Sequence, residues 1–92
     1  MIEVKEKMPM PTELHETTDL MMSPDYKDRF KAEYYQLRIR YEKLYNMLLK
    51  WDKGELDAVP TCPKSVYGLQ IDYMFNYLAI LEARAQMEGI VL

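Results

Sequence analysis

The stretch "SPDYKDRFKAEYYQLRIRYEKLYNMLLKW", residues 23–51, decides how this chain folds. Within it Phe30, Tyr34, Leu37, Tyr41, Leu44, Leu48 and Trp51 follow alternating steps of four and three, the spacing of one apolar stripe on a helix. Ser23 suits an N-cap, Pro24 suits the first helical position, and Asp25 and Asp28 lie where a helix dipole favours negative charge. A long helix is therefore expected from about Ser23 to Trp51. Gly54 supplies a stop, and "ELDAVPTCP", with its two prolines, reads as the connection. A second helix is expected from Lys64 or Ser65. There Tyr67, Ile71, Met74, Leu78, Leu81 and Ala85 repeat the four-three spacing and face the first helix. The chain thus reads as all-α, a two-helix antiparallel hairpin over residues 23–92.

The second helix carries more apolar surface than one partner can cover. Val66, Tyr73, Ile80 and Met87 form another line with a spacing of seven, well apart from the first. Gln70, Tyr77 and Arg84 fall between the two lines as a polar column. A hairpin has no third element for the second line, and two helices of roughly 40 Å bury too little surface to be secure alone. A homo-oligomer formed by helix packing is expected, with the polar column at or beside its seam. On the first helix Arg29, Gln36, Lys43 and Lys50 recur every seven residues along one edge of the stripe, with Glu33 and Arg40 beside them. This set is either a solvated basic flank whose long side chains cover apolar surface, or a partner for the column. A pair such as Glu33 with Arg84, or Gln70 bonded to nearby backbone, would satisfy the column internally.

Residues 1–22, "MIEVKEKMPMPTELHETTDLMM", show scattered Met, two prolines and mixed charge without sustained periodicity. They read as an extended N-terminal arm, in which Ile2 and Val4 alternate with charges as a short strand would. His15 has no second His or Cys to complete a metal set, so no metal or cofactor is expected. The chain of 92 residues is one domain at most. With 49% hydrophobic and 29% charged residues it is globular rather than disordered. A net charge of −3 speaks against general binding to double-stranded nucleic acid. Cys62, the single cysteine, cannot close an intrachain disulfide, and the apolar runs are too short for a membrane span. A reducing cytoplasm is the natural compartment.

No catalytic constellation emerges: there is no Ser elbow, Gly-rich phosphate loop or His-Glu metal pattern, so an enzyme is not expected. What remains is a basic and aromatic set, Tyr34, Arg40, Lys43, Tyr77 and Arg84, placed where an oligomer would bury it in part. Arginine forks suit phosphate oxygens and tyrosine rings can stack on bases, so such a set could hold a small nucleotide.

The runs "YKDRFKAEYYQLRIRYEKLYNMLLKW", "GELDAVPTCP" and "MFNYLAILEARAQMEGI" resemble a family of very short phage and prophage proteins grouped with a crAss-like phage protein. Their helical hairpin is in turn similar to that of anti-CBASS and anti-Thoeris nucleotide sponges. The first resemblance spans about residues 26–90. The second rests on Glu33-Tyr34, Leu37, Arg40 and Lys43-Leu44 in the first helix, and on Met74, Tyr77, Leu81 and Arg84 in the second. It implies a symmetric homo-oligomer, hexamers among the known forms. Such an assembly binds a cyclic oligonucleotide or a cyclic ADP-ribose isomer between subunits and holds it without cleavage, in the cytoplasm of an infected or lysogenic bacterium. Arg84 matches an arginine that contacts ligand in the anti-Thoeris branch, and Tyr77, Arg40 and Lys43 match the hairpin pattern. The additional strands of the anti-Thoeris proteins are absent. The alternative is a small protein-interaction or structural module that docks on a host or phage protein, for which abundant Met and Tyr are equally suited.

Overall fold

The computed structural model describes residues 10–92, all-helical among the described residues. A 3-10 turn, Leu14–Thr17, runs into a short helix α1, Thr18–Met22; α2 spans Tyr26–Asp52 and α3 spans Lys64–Glu88. The strand-like alternation at Ile2 and Val4 lies outside the described residues.

The first correction concerns the N-terminal segment. From Leu14 onward it is helical and folded back on α2, not extended. Thr17 explains why: it is completely buried, its hydroxyl donates to the Leu14 carbonyl at 2.7 Å, and the same oxygen accepts from Gln36 Nε2 at 2.9 Å. A threonine that satisfies its own turn and a side chain of α2 can sit inside at little cost. Lys43 reaches Glu13 at 2.9 Å and ties the segment further along α2. The face of α2 turned away from α3 is correspondingly buried at Ala32, Tyr35 and Ile39. Three helices thus stand where two helices and an extended arm were expected.

The start of α2 is also shifted. Ser23 serves the corner after α1: its hydroxyl accepts from the Asp25 amide at 3.0 Å and donates to Asp28 Oδ2 at 2.8 Å. The cap is Asp25, whose carboxylate accepts from the Lys27 amide at 2.9 Å, so Ser23 and Pro24 precede the helix. At the other end Gly54 has φ 71, the left-handed conformation that lets the chain leave a helix without a Cβ clash.

The two long helices lie side by side and run in opposite directions. Tyr26 bonds to Glu88, Tyr34 to Glu82, Tyr41 meets Phe75 in a tilted contact, and Trp51 meets Tyr67, so each step along α2 is matched by a step back along α3. Their common core is Phe30, Tyr34, Leu78, Leu81 and Ala85, members of the two expected stripes. Gly89, with φ 69, closes α3, and the Ile90 amide donates to the Ala85 carbonyl at 2.8 Å. This cap turns Ile90 into the core, where it is 6% exposed. Burial is concentrated where the start of α2 meets the end of α3. The opposite end is held by the Trp51–Tyr67 edge contact and by Lys64, which pairs with Asp52 and lies over the Trp51 ring.

Candidate functional site

Four side chains of α2 fall on one line one residue behind the core stripe: Arg29, Glu33, Gln36 and Arg40, at steps of four, three and four. This line is the floor of an open groove of about 410 Å³ between α2 and α3, with Met21 of α1 and Tyr77 of α3 also lining it. The N-terminal segment, absent from the expected hairpin, is therefore part of the groove wall.

Each floor residue is held in a definable state. Arg29 donates through Nη1 to the Ser23 carbonyl at 2.9 Å, which fixes one edge of its guanidinium. The Tyr77 hydroxyl donates to Glu33 Oε2. That bond to a carboxylate, together with partial burial, raises the Tyr77 pKa above the usual phenol value. Gln36 Nε2 is committed to Thr17 Oγ1 and lies 3.5 Å from Met21 Sδ. Arg40 makes no hydrogen bond or ion pair among the described residues.

The expected set of five therefore divides. Tyr77 and Arg40 share the groove. Arg84 lies two turns beyond Tyr77 on the same column, where its Nη2 donates to the Tyr26 hydroxyl at 2.9 Å and Nε to Glu88 at 3.3 Å, with the guanidinium 5.0 Å from the Phe30 ring centre. Tyr34 is not in the groove. It is 5% exposed, and its hydroxyl donates to Glu82 at 2.6 Å. Burial and the Glu82 carboxylate push its pKa up to about 12. Lys43 is paired with Glu13, whose own pKa is lowered by that hydrogen bond and charge. The residues that separate Tyr34 and Lys43 from the others are partners that no helical spacing on α2 could foretell.

Tyr77 is 43% exposed, and Gln70 and Arg84 are exposed as well, so in a single chain the polar column is an open edge rather than a buried one. The expected Glu33–Arg84 pair does not form, because the Tyr77 hydroxyl takes Glu33 instead. Beyond the column the second apolar line is uncovered: Val66 is 49%, Tyr73 72%, Ile80 59% and Met87 84% exposed.

A second concavity, about 310 Å³, lies on the other flank of the α2–α3 contact, lined by Tyr34, Tyr41, Phe75, Glu82 and the ion pair Arg38–Glu42. Sequence reading passed over it. Its signals were an i,i+4 opposite-charge pair and Phe75, an aromatic residue on the polar side of α3.

Comparison with known proteins adds one finding. The family model described as Sequestin matches residues 24–87, which covers α2, the connection and nearly all of α3. No curated protein and no solved structure matches the chain.

Proposed function

The chain belongs to the Sequestin family, and from that premise we propose that it binds and sequesters a cyclic nucleotide immune signal without cleaving it. The signal class is a cyclic oligonucleotide or a cyclic ADP-ribose isomer, and the setting is the cytoplasm of a bacterium that carries a phage. The family name supports sequestration of a signalling molecule. The observation that carries the reading is the α2 groove: a guanidinium without a partner among the described residues at one end, a second guanidinium at the other, and an aromatic ring on the facing wall. Arginine forks suit phosphate oxygens, and an exposed tyrosine offers a stacking face.

In this proposal α2 and α3 form the helical hairpin unit, and copies assemble through the uncovered line of α3 into a homo-oligomer, a hexamer being the form the sponge resemblance suggests. Assembly would bring the column of Gln70, Tyr77 and Arg84 beside a neighbour, so that Arg84 joins the ligand environment as the resemblance implies. Nothing in the groove needs to move a proton or attack the ligand; it needs only to hold charge and exclude water. Nanomolar retention corresponds to about −12 kcal/mol, within reach of several charge-assisted contacts and ring stacking in a preformed seam.

The test is release of bound ligand. Purified protein is mixed with a panel of cyclic nucleotides, freed of unbound material and heat-denatured. Recovery of one intact nucleotide is expected, and recovery of none, or of cleavage products, overturns the reading. Arg40→Ala should lower retention about tenfold or more while leaving the melting temperature unchanged, because this side chain has no partner among the described residues. Arg84→Ala should lower both, because it also releases Tyr26, Glu88 and Phe30.

The exposed apolar line of α3 favours a second reading, a small module that docks on a host or phage protein. A stoichiometric protein partner with no nucleotide retained would select it.

A further inference from the structure

The hydrogen-bond pattern inside the groove specifies more than a negative charge. Thr17 settles the orientation of Gln36. The threonine proton is engaged with the Leu14 carbonyl, so Thr17 Oγ1 can only accept, and the Gln36 group facing it must be the amide nitrogen. The second amide hydrogen faces Met21 Sδ at 3.5 Å, and the Gln36 carbonyl oxygen is left as the open atom. Tyr77 acts on Glu33 in the same way: its hydroxyl engages Oε2 and leaves Oε1 without a partner among the described residues. Glu33 and Gln36 stand one turn apart on the groove floor, so its centre offers two hydrogen-bond acceptors and no competing donor from these two side chains. Arg29 and Arg40 stand at the two ends, eleven residues and roughly 16 Å apart along the helix axis.

A ligand that complements this arrangement carries anionic groups toward its ends and adjacent donors at its centre. Resting on the nucleotide-binding reading above, we infer that the groove selects a guanine base, whose ring N–H and exocyclic amine lie side by side on one edge. Adenine presents an acceptor ring nitrogen beside its amine, so one protein acceptor would face a lone pair. Hypoxanthine keeps the ring N–H but lacks the amine, so one acceptor loses its donor. A site built to accept hydrogen bonds rejects an analogue that cannot supply them, because the bound ligand displaces water from the protein atoms and leaves them unpaired. The carboxylate makes the discrimination steeper, since its bonds are charge-assisted.

The experiment is calorimetric titration of the full-length protein with four probes at one pH and salt concentration. Three are cyclic dinucleotides with the same sugar–phosphate ring, bearing guanine, hypoxanthine or adenine. The fourth is cyclic ADP-ribose. The guanine ring should bind about tenfold more tightly than the hypoxanthine ring and about a hundredfold more tightly than the adenine ring. Glu33→Gln keeps a carbonyl that accepts from Tyr77 but adds an amide donor, and should narrow the guanine-to-adenine gap about tenfold. Equal affinities, a preference for adenine, binding of cyclic ADP-ribose alone, or a guanine preference unchanged in Glu33→Gln overturns the inference and leaves the sequestration reading in place. Binding of none of the four overturns both.

Discussion

At Tyr34 a single hydroxyl joins the two long helices from a nearly dry position, and this makes the residue a probe of alkaline stability. The ring is 5% exposed, and its proton is shared with Glu82, so the folded state holds that proton more tightly than the unfolded chain does. Its pKa of about 12 lies above the ordinary tyrosine value of 10.0, so the contribution to stability is complete below about pH 10 and is lost as pH rises toward about 12. Tyr35, raised by burial, and Tyr77, raised by Glu33, act in the same direction. Tyr34→Phe should therefore cost about 1.5–3 kcal/mol at neutral pH, the worth of one hydrogen bond to a charged group, and should make the fall above pH 10 shallower without abolishing it. Urea unfolding across that pH range checks both parts. A variant as stable as the parent at neutral pH, with the same alkaline slope, would remove Tyr34 from this role.

Among the elements, the segment Leu14–Met22 depends on one buried residue. Thr17→Val keeps the shape but removes both the bond to the Leu14 carbonyl and the acceptor for Gln36. The expected cost is about 1–3 kcal/mol, and it should appear as faster hydrogen exchange in residues 14–22, with the exchange of α3 unchanged. Uniform acceleration across all helices would show instead that the segment and the long helices unfold together. This element is also where sequence reasoning was weakest. The stripes Phe30 to Trp51 and Tyr67 to Ala85 were legible because a helix longer than twenty residues repeats its buried face many times. The 3-10 turn has four residues and α1 has five, too few to display a period, and the residue that anchors them is polar. Ala32, Tyr35 and Ile39 lie off the four-three stripe of α2, so no spacing on that helix marks them as buried. For the site, Tyr77 stands on a seven-residue column of α3 and Arg40 beside the basic edge of α2, and the two share a groove. Tyr34 and Lys43 lie apart from that groove because Glu82 and Glu13, which hold them, come from other elements.

On the scale of the whole molecule, the long uncovered face of α3 is the dominant feature. The chain measures 49 × 27 × 27 Å, and Val66, Tyr73, Ile80 and Met87 run along that length with Leu69 exposed close by. A patch so continuous is costly to leave in water, and self-association is the expected remedy. Sedimentation at micromolar concentration should give a mass that is a multiple of 11.0 kDa. Ile80→Glu should shift it to the single-chain mass while the helical circular dichroism is retained, because Ile80 is 59% exposed and lies outside the core. A wild-type chain that sediments as one copy would exclude this assembly. The groove line has a different standing from both apolar faces. Arg29, Glu33, Gln36 and Arg40 sit one residue behind Phe30, Tyr34, Leu37 and Tyr41, so neighbouring positions of the same helix answer to separate demands. Mutations along the groove line can accumulate under selection for a new signal while the core stripe goes on specifying the same scaffold. Lineages of this protein should then diverge in what they capture sooner than in how they fold.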